Sequence, residues 1–359
     1  MITKTDTLTW NISSSIGQHP NLKESVIFDI ETTGLSPKNS FVYLIGVLFQ
    51  NDKKWQLTQW LAESQKDEAA LFTAFFCFLK NFRFLIHFNG DAFDLPFLKK
   101  RCAVYHLPAF PESLTSIDLY QRLRPLKKFL KLSSMNLKSL EDFLNLSRQD
   151  TMSGGELISV YHQFETTKDD NLKRLLLLHN HDDLSGTAAL FPLFSYLELL
   201  NGRFELSHAE TISGQGNSFE LLLRLSLSTP VPRQISVPLE SGYLTACGST
   251  CSLSVHGIYG TMKYFFQDYR NYYYLPLEDT AIHKSVASYV DKAHRVPAKA
   301  STCYCKRTGR FLPGIAGSAM PVFRQDYRAS AFYQECTEEF LSNSSSLLAY
   351  VRDLLYSYF

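Results

Sequence analysis

The sequence predicts an α/β domain, a mixed sheet flanked by helices, followed by a smaller β-rich α+β domain. Three observations carry this reading. Between residues 25 and 203, apolar runs of strand length alternate with segments of helical spacing. Past residue 206 the chain turns rich in β-branched residues, Ser, Gly and Pro, the texture of antiparallel strands. At 359 residues it is long enough to build two cores. The boundary falls near residues 204–212, where a long helix has ended and HAETISGQGN is polar. The expected organisation is an N-terminal extension (1–21), a first domain (22–205) and a C-terminal accessory domain (206–359).

The elements follow in order. SVIFDIE, FVYLIGVLFQ and KWQLTQWLA read as three successive strands. DEAALFTAFFCFLKNF has an acidic start and 3.6-residue apolar spacing, so it reads as a helix. RFLIHFN is the next strand and FDLPFLKKRCAVY the next helix. MNLKSLEDFLNL and the long NLKRLLLLHNHDDLSGTAALFPLFSYLELL are further helices. In the second domain, ELLLRLSLSTPVPRQISVPLESGYLTACGSTCSLSVHGIYGTMKYFF predicts several antiparallel strands. A helix is expected over DTAIHKSVASYVDKA, starting after Pro276 at Glu278 and Asp279 and carrying His283 and Lys284. A last helix lies in EEFLSNSSSLLAYVRDLLYSYF.

Composition narrows the function. Charged residues balance to a net +1, so affinity for nucleic acid has to come from a local patch. MITKTDTLTWN is polar, and no window approaches eighteen continuous apolar residues, so neither a leader nor a membrane span is expected. The seven cysteines are scattered over a long chain, which reads as reduced thiols in a cytoplasmic protein. Cys247-x3-Cys251 and Cys303-x-Cys305 together fit a zinc site poorly, because paired zinc ligands usually have two to four residues between them and C-x-C is short. Free thiols in strands are the expectation.

Three acidic motifs carry chemistry. In VIFDIETTG, Asp29 and Glu31 are two apart and project from one face of a strand. Two adjacent carboxylates repel unless a cation sits between them, and hard divalent cations take oxygen ligands. In HFNGDAFDLPFL the strand ends at Asn89, Gly90 breaks it, and Asp94 falls in the first turn of the next helix, where unpaired amides favour a carboxylate. Asp91 is its rival. In LLLLHNHDDLSGT, His179 shares a helix face with Asp182 three residues on and with Asp183 four residues on. Spacing alone leaves both open. Taken singly, each motif has a bland reading: a solvated strand edge, a helix cap, a polar patch on a helix.

Together the order D-x-E, N-x4-D, H-x3-D resembles the DEDD superfamily of 3′–5′ exonucleases, which have a ribonuclease H-like fold. FDIETTG, NGDAFDLP and HNHDD are similar to its first, second and third motifs. SIDLYQRL and LKSLEDFLNLSRQD resemble a bacterial branch described as a YprB-like ribonuclease H-like domain. The resemblance spans about residues 22–203. It implies that Asp29, Glu31, Asp94 and Asp183 bind two divalent metal ions, Mg²⁺ or Mn²⁺, and that His179 assists the attacking water. His181 and Asp182 are then set aside as exposed. In that superfamily the assisting residue is a Tyr four or a His five positions before the last Asp; here a His stands at the Tyr spacing.

The implied substrate is DNA or RNA, entered from a single-stranded 3′ end. Thr32, Thr33 and Gly34 follow the first acidic pair and are placed to touch a terminal nucleotide, while Asn89 holds the second-motif loop or the substrate. Between residues 99 and 131 eight basic residues face only Glu112 and Asp118. Arg122, Arg124, Lys127 and Lys128 are the candidates there for tracking a phosphate backbone, against the plain reading of a solvated helix face. In the second domain, Arg270 with Tyr272, Tyr273 and Tyr274 suits base stacking or a strand core equally well. The sequence also allows a non-catalytic nucleic-acid-binding module, or a scaffold acting through its C-terminal domain.

Overall fold

A computed structural model describes residues 1–8, 21–52, 54–107, 114–315 and 321–357. Most of the predicted N-terminal extension, and Glu112, lie outside the described residues. The chain divides into two units, residues 1–197 and 198–359.

The first unit runs β1 (Ile2–Leu8), β2 (Ser25–Thr32), β3 (Val42–Asn51), β4 (Lys54–Leu61), α1 (Glu68–Leu79), β5 (Phe84–His87), α2 (Asp94–Val104), β6 (Thr115–Asp118), α3 (Leu119–Leu123), α4 (Leu126–Phe129), α5 (Leu137–Phe143), α6 (Gly154–Thr167) and α7 (Asp170–Ala189). A further helix, α8 (Phe194–Leu200), follows. The six-stranded sheet has the order β1-β4-β3-β2-β5-β6. Strands β1 to β4 pair antiparallel, whereas β2, β5 and β6 pair parallel, so the sheet is mixed. Ile2–Leu8, read from sequence as part of an extension, is the edge strand on β4.

Strand period two decides what faces what. Val26, Phe28 and Ile30 point into one core with Phe72, Phe75 and Leu79 of α1 and Phe97 and Leu98 of α2. The intervening residues Ile27, Asp29 and Glu31 therefore face the opposite side, the side on which α7 crosses β2, β3 and β4. There Tyr43, Leu44 and Leu61 pack with Leu157, Tyr161 and Phe164 of α6 and Leu176 of α7. Both sheet faces are covered, which is why β2 and β3 read as nearly continuous apolar runs. A buried Arg101–Glu68 ion pair at 2.5 Å ties α2 to α1, and Glu68 also accepts the Val42 amide at 2.8 Å.

The second unit contains β7 (Phe204–Ser213), β8 (Ser218–Leu239), β9 (Gly242–Phe265), β10 (Tyr272–Leu275), β11 (Thr280–His283), α9 (Lys284–Ala287), β12 (Val296–Pro297), β13 (Tyr304–Pro313), β14 (Tyr333–Glu335), α10 (Glu338–Ser342) and α11 (Ser344–Ser357). Its five-stranded antiparallel sheet has the order β14-β13-β9-β8-β7. Strand β8 slips register between Ser226 and Val231 and again before Ile235, where Pro230 and Pro232 remove ladder donors. A second sheet has the order β11-β10-β12.

The segment 279–293, expected as one helix, is instead a turn and strand followed by a four-residue helix. Asp279 sits at φ +49° in the turn between β10 and β11, and Thr280–His283 is a strand paired with β10. Asp279 is held in the turn by the Tyr274 hydroxyl at 2.7 Å, by the Tyr304 hydroxyl and by Lys306 at 3.0 Å. Helix α9 is only four residues long, and His283 is its N-cap, accepting from the Ser285 amide. Tyr272 and Tyr274 pack into a small core with Ala281, Ala298 and Cys303, while Tyr273 lies under Arg295 and Lys284. All seven cysteines are free thiols, and among the described residues no metal-competent cluster contains one. Among the described residues no helix is long and apolar enough to cross a membrane.

Candidate metal-binding active site

Each polar residue of the HNHDD stretch has a distinct partner, because α7 lays it across the polar face of β2. The His179 ring presents Nε2 at 3.7 Å from Glu31 Oε1 and 3.6 Å from Asp183 Oδ2. Glu31, His179 and Asp183 place ligand atoms within 4.8 Å of one another. Asn180 is fully buried; its Nδ2 donates to Asp29 Oδ2 at 2.9 Å and its Oδ1 accepts from Gln59 Nε2 at 2.9 Å. Asp182 accepts the Gln149 and Asp150 backbone amides at 2.7 and 2.8 Å. His181 leans on Asp182 at 3.2 Å and lines a cavity of about 880 Å³ with Lys4, Lys173 and Arg174.

Asp182, set aside from the sequence as exposed, is buried (8% exposed). It satisfies two loop amides; burial pulls its pKa up, but the His181 hydrogen bond and these amides together hold it below the usual carboxylate value. Asp183 instead turns toward the carboxylates and accepts from Arg148, which also pairs with Glu141 at 2.6 Å.

Asp94 opens α2 and is buried, whereas the rival Asp91 is half exposed and accepts from Ser116 at 2.9 Å. The Asp94 carboxyl is pushed up to about 7, chiefly by burial, with the Asp118 and Asp183 charges adding; the amides of Asp94 and Ile30 bond it and pull the other way. Asp29 and Glu31 are raised well above the ordinary carboxylate range, first by burial and then by Asp183, by Asp94 and, for Asp29, by Glu31. Asp29, Glu31, Asp94 and Asp183 thus sit in one another's field, where only protonation or a cation relieves them. Four carboxylates with an adjacent imidazole are hard, mainly oxygen donors, a set suited to Mg²⁺ or Mn²⁺.

The backbone beneath this site leaves no slack. Gly46 lies opposite Asp29 in the β2–β3 register, and a Cβ there would meet Asn180 Oδ1 at 1.9 Å. Gly46→Ala is therefore expected to displace Asn180 from Asp29 and cost about 1–3 kcal/mol of stability. Urea denaturation checks this, and a loss below ~0.5 kcal/mol would contradict the packing.

The Thr32 hydroxyl donates to Gly34 O at 2.9 Å, the Thr33 amide donates to Phe41 O, and the Phe41 amide donates to the Thr33 hydroxyl, so the TTG turn closes on itself beside Glu31. Asn89 adopts φ +61°, a conformation Asn tolerates, and its amide donates to Asp118 Oδ1 at 2.9 Å. Arg122 and Lys127 are exposed on α3 and α4, with Arg124 and Lys128 beside them, outside the carboxylate cluster.

A second group, His87, Asp91 and Asp118, is brought together near β5 and β6. Its atoms are committed to the fold. His87 Nδ1 accepts the Gly90 amide at 3.1 Å, so Nε2 carries the proton shared with Ser116 at 2.7 Å. Asp118 accepts the amides of Asn89, Tyr120 and Asp91.

Sequence reasoning missed Gln59, Glu141, Arg148, Asp150 and Asn180. No spacing rule links them to the acids; the fold brings Arg148 and Asp150 to α7 across about thirty residues.

A family model described as the RNase_H superfamily matches residues 26–195. With the mixed sheet and its flanking helices, the first unit is a ribonuclease H-like domain. No curated protein matches the chain. Among solved structures, a family B DNA polymerase from the hyperthermophilic archaeon Pyrobaculum calidifontis is similar at 13% identity and TM-score 0.40, over 70% of this chain and 35% of its own. E. coli exonuclease I in complex with a dT13 oligonucleotide is similar at 10% identity and TM-score 0.35, over 56% of this chain and 54% of its own. The zinc-bound form of the E. coli exonuclease I–ssDNA complex gives 9% identity, TM-score 0.35 and coverage of 57% and 54%. The chain spans between about a third and a little over half the length of these structures.

Proposed function

We propose that the chain is a metal-dependent nuclease of the DEDD type, a 3′–5′ exonuclease that hydrolyses phosphodiester bonds at a single-stranded end of DNA or RNA in the cytoplasm. The observation that carries this reading is the convergence of half-buried Asp29 and Glu31 and buried Asp94 with Asp183 and the His179 ring where α7 crosses β2. The family match to residues 26–195 and the order of the three motifs support it.

Asp29, Glu31, Asp94 and Asp183 would hold two divalent ions, Mg²⁺ or Mn²⁺. When bound, such ions compensate the charge of the scissile phosphate and lower the pKa of the attacking water. The residues of the chain do the rest. Asn180 and Gln59 fix the Asp29 carboxylate from behind, so its orientation does not depend on a ligand. His179 Nε2 faces the space beside Glu31 and Asp183 and accepts the proton of the water during attack. The Arg148 cation holds one oxygen of Asp183 and offsets negative charge at the rim. The TTG turn of Thr32, Thr33 and Gly34, together with Asn89, would meet the terminal nucleotide. Arg122, Arg124, Lys127 and Lys128 would track the incoming backbone.

The test is degradation of 5′-labelled single-stranded DNA and RNA oligonucleotides in Mn²⁺, Mg²⁺ or EDTA. A metal-dependent ladder shortening from the 3′ end, lost in Asp183→Asn, is expected. Wild-type protein that binds both strands and cleaves neither would reject the proposal in favour of a binding module.

A further inference from the structure

We propose that Asp150 is the positioning residue for His179, selecting the imidazole tautomer that leaves Nε2 free to accept a proton at the carboxylate centre. This rests on the nuclease reading above.

The geometry is direct. Asp150 Oδ2 lies 2.6 Å from His179 Nδ1, and both residues are buried. A carboxylate only accepts, so Nδ1 carries the hydrogen and the neutral ring has its lone pair at Nε2. Nε2 is the atom that faces Glu31 and Asp183. Had Nδ1 been left to water, the opposite tautomer would have been free to point an N–H at the carboxylates, where it cannot receive a proton.

The carboxylate that makes this choice is itself immobilised. Asp150 Oδ1 accepts the Met152 amide at 3.1 Å. The backbone amides of Gln149 and Asp150 are held by Asp182, and Arg148 reaches Asp183. The 148–150 loop is thus clamped to α7 at residues 179, 182 and 183. This accounts for the polarity of the HNHDD stretch: Asp183 belongs to the acidic cluster, His179 addresses it, and Asp182 holds the loop that aims His179. Both Asp150 oxygens are engaged in these bonds, so Asp150 is not a further ligand of the cluster.

Asp150→Asn inverts the choice with little change of shape. The Met152 amide needs an acceptor, which fixes the Asn oxygen on that side and turns its NH₂ toward Nδ1. Nδ1 must then accept, and the hydrogen moves to Nε2.

Side-chain ¹⁵N NMR of metal-free protein, with His179→Ala to assign the signal, reads the tautomer without activity. Wild type is expected to show a protonated Nδ1 and a bare Nε2, and Asp150→Asn the reverse. In the oligonucleotide assay Asp150→Asn should lower kcat about 10²–10⁴-fold, with KM and Mn²⁺ affinity unchanged. In a His179→Ala background the same substitution should add nothing. A protonated Nε2 in wild type overturns the proposal, as does an Asp150→Asn loss that persists undiminished without His179. If the wild-type tautomer is as expected but no metal supports cleavage of either strand, the nuclease reading falls and the positioning role falls with it.

Discussion

Asp29→Asn is expected to abolish turnover while making the metal-free protein more stable near neutral pH. The two effects share one cause. Asp29 is half-buried beside Glu31, Asp94 and Asp183; its desolvation raises its pKa and each neighbour raises it further. Ionised and without a cation, it is a strained group in the folded chain. Asn has the same shape, and its oxygen still accepts from Asn180 Nδ2, so the packing around Gln59 and Gly46 is undisturbed. Removing one like charge from a buried cluster therefore relieves repulsion without opening a cavity. The same charge is what draws a divalent ion to the site and is worth several kcal/mol in the transition state, so turnover should fall by about 10³-fold or more. Urea denaturation in EDTA at pH 7.5, run beside the oligonucleotide assay, decides the matter. An Asp29→Asn protein that is less stable than wild type by more than ~1 kcal/mol would show that the carboxylate serves the fold rather than opposing it.

That opposition between fold and site explains which parts were legible in the sequence. The strands β2, β3 and β4 and the helix α1 announce themselves because their apolar runs are buried on both sides of the sheet. The D-x-E pair interrupts that apolar run, but a solvated strand edge reads the same, and only its order with N-x4-D and H-x3-D singles it out. Helix α6 was harder. Leu157, Val160, Tyr161 and Phe164 keep helical spacing, and Ser153 with Glu156 forms a capping box, but Gly154 and Gly155 at its start mask it. Strand β1 is a Thr-rich edge whose apolar residues lie only at its ends, so nothing in it calls for burial.

Register within a polar stretch is where sequence reading reaches its end. His179 shares a helix face with both Asp182 and Asp183, and helical geometry treats the two alike. What separates them is the 148–150 loop, whose amides take Asp182 and whose Arg148 takes Asp183. A contact across about thirty residues leaves no local trace. The second unit fails locally for a similar reason: the pattern after Pro276 has every mark of a helix start, yet two tyrosine hydroxyls and Lys306 capture Asp279 and bend the chain into a hairpin.

In EDTA the protein is expected to lose stability as pH rises from 5 to 7.5, and divalent metal is expected to restore it at the upper end only. A carboxyl with a raised pKa in the folded state keeps its proton there after the unfolded chain has released it. Over that interval the folded state binds more protons, so stability falls as pH increases. For Asp94 the interval runs from the ordinary carboxylate value to about 7, and burial makes it the larger cause. Between pH 5 and pH 7 this group alone removes on the order of 2 kcal/mol. Asp29 and Glu31 act in the same direction. Asp182, with its lowered pKa, acts oppositely but is complete above the ordinary carboxylate range, whereas His87, its pKa lowered by burial, opposes within the lower part of the interval and is outweighed by the three raised carboxyls. Mn²⁺ at pH 7.5 binds the folded carboxylates and not the unfolded chain, and should raise Tm by several degrees. At pH 5 protons already occupy the site and the same addition should do little. Thermal melts at the two pH values, with and without Mn²⁺, provide the four numbers. A stability that rises with pH in EDTA, or a metal effect of equal size at both ends, would mean that the buried acids are ionised without strain and that their clustering is not a cation site.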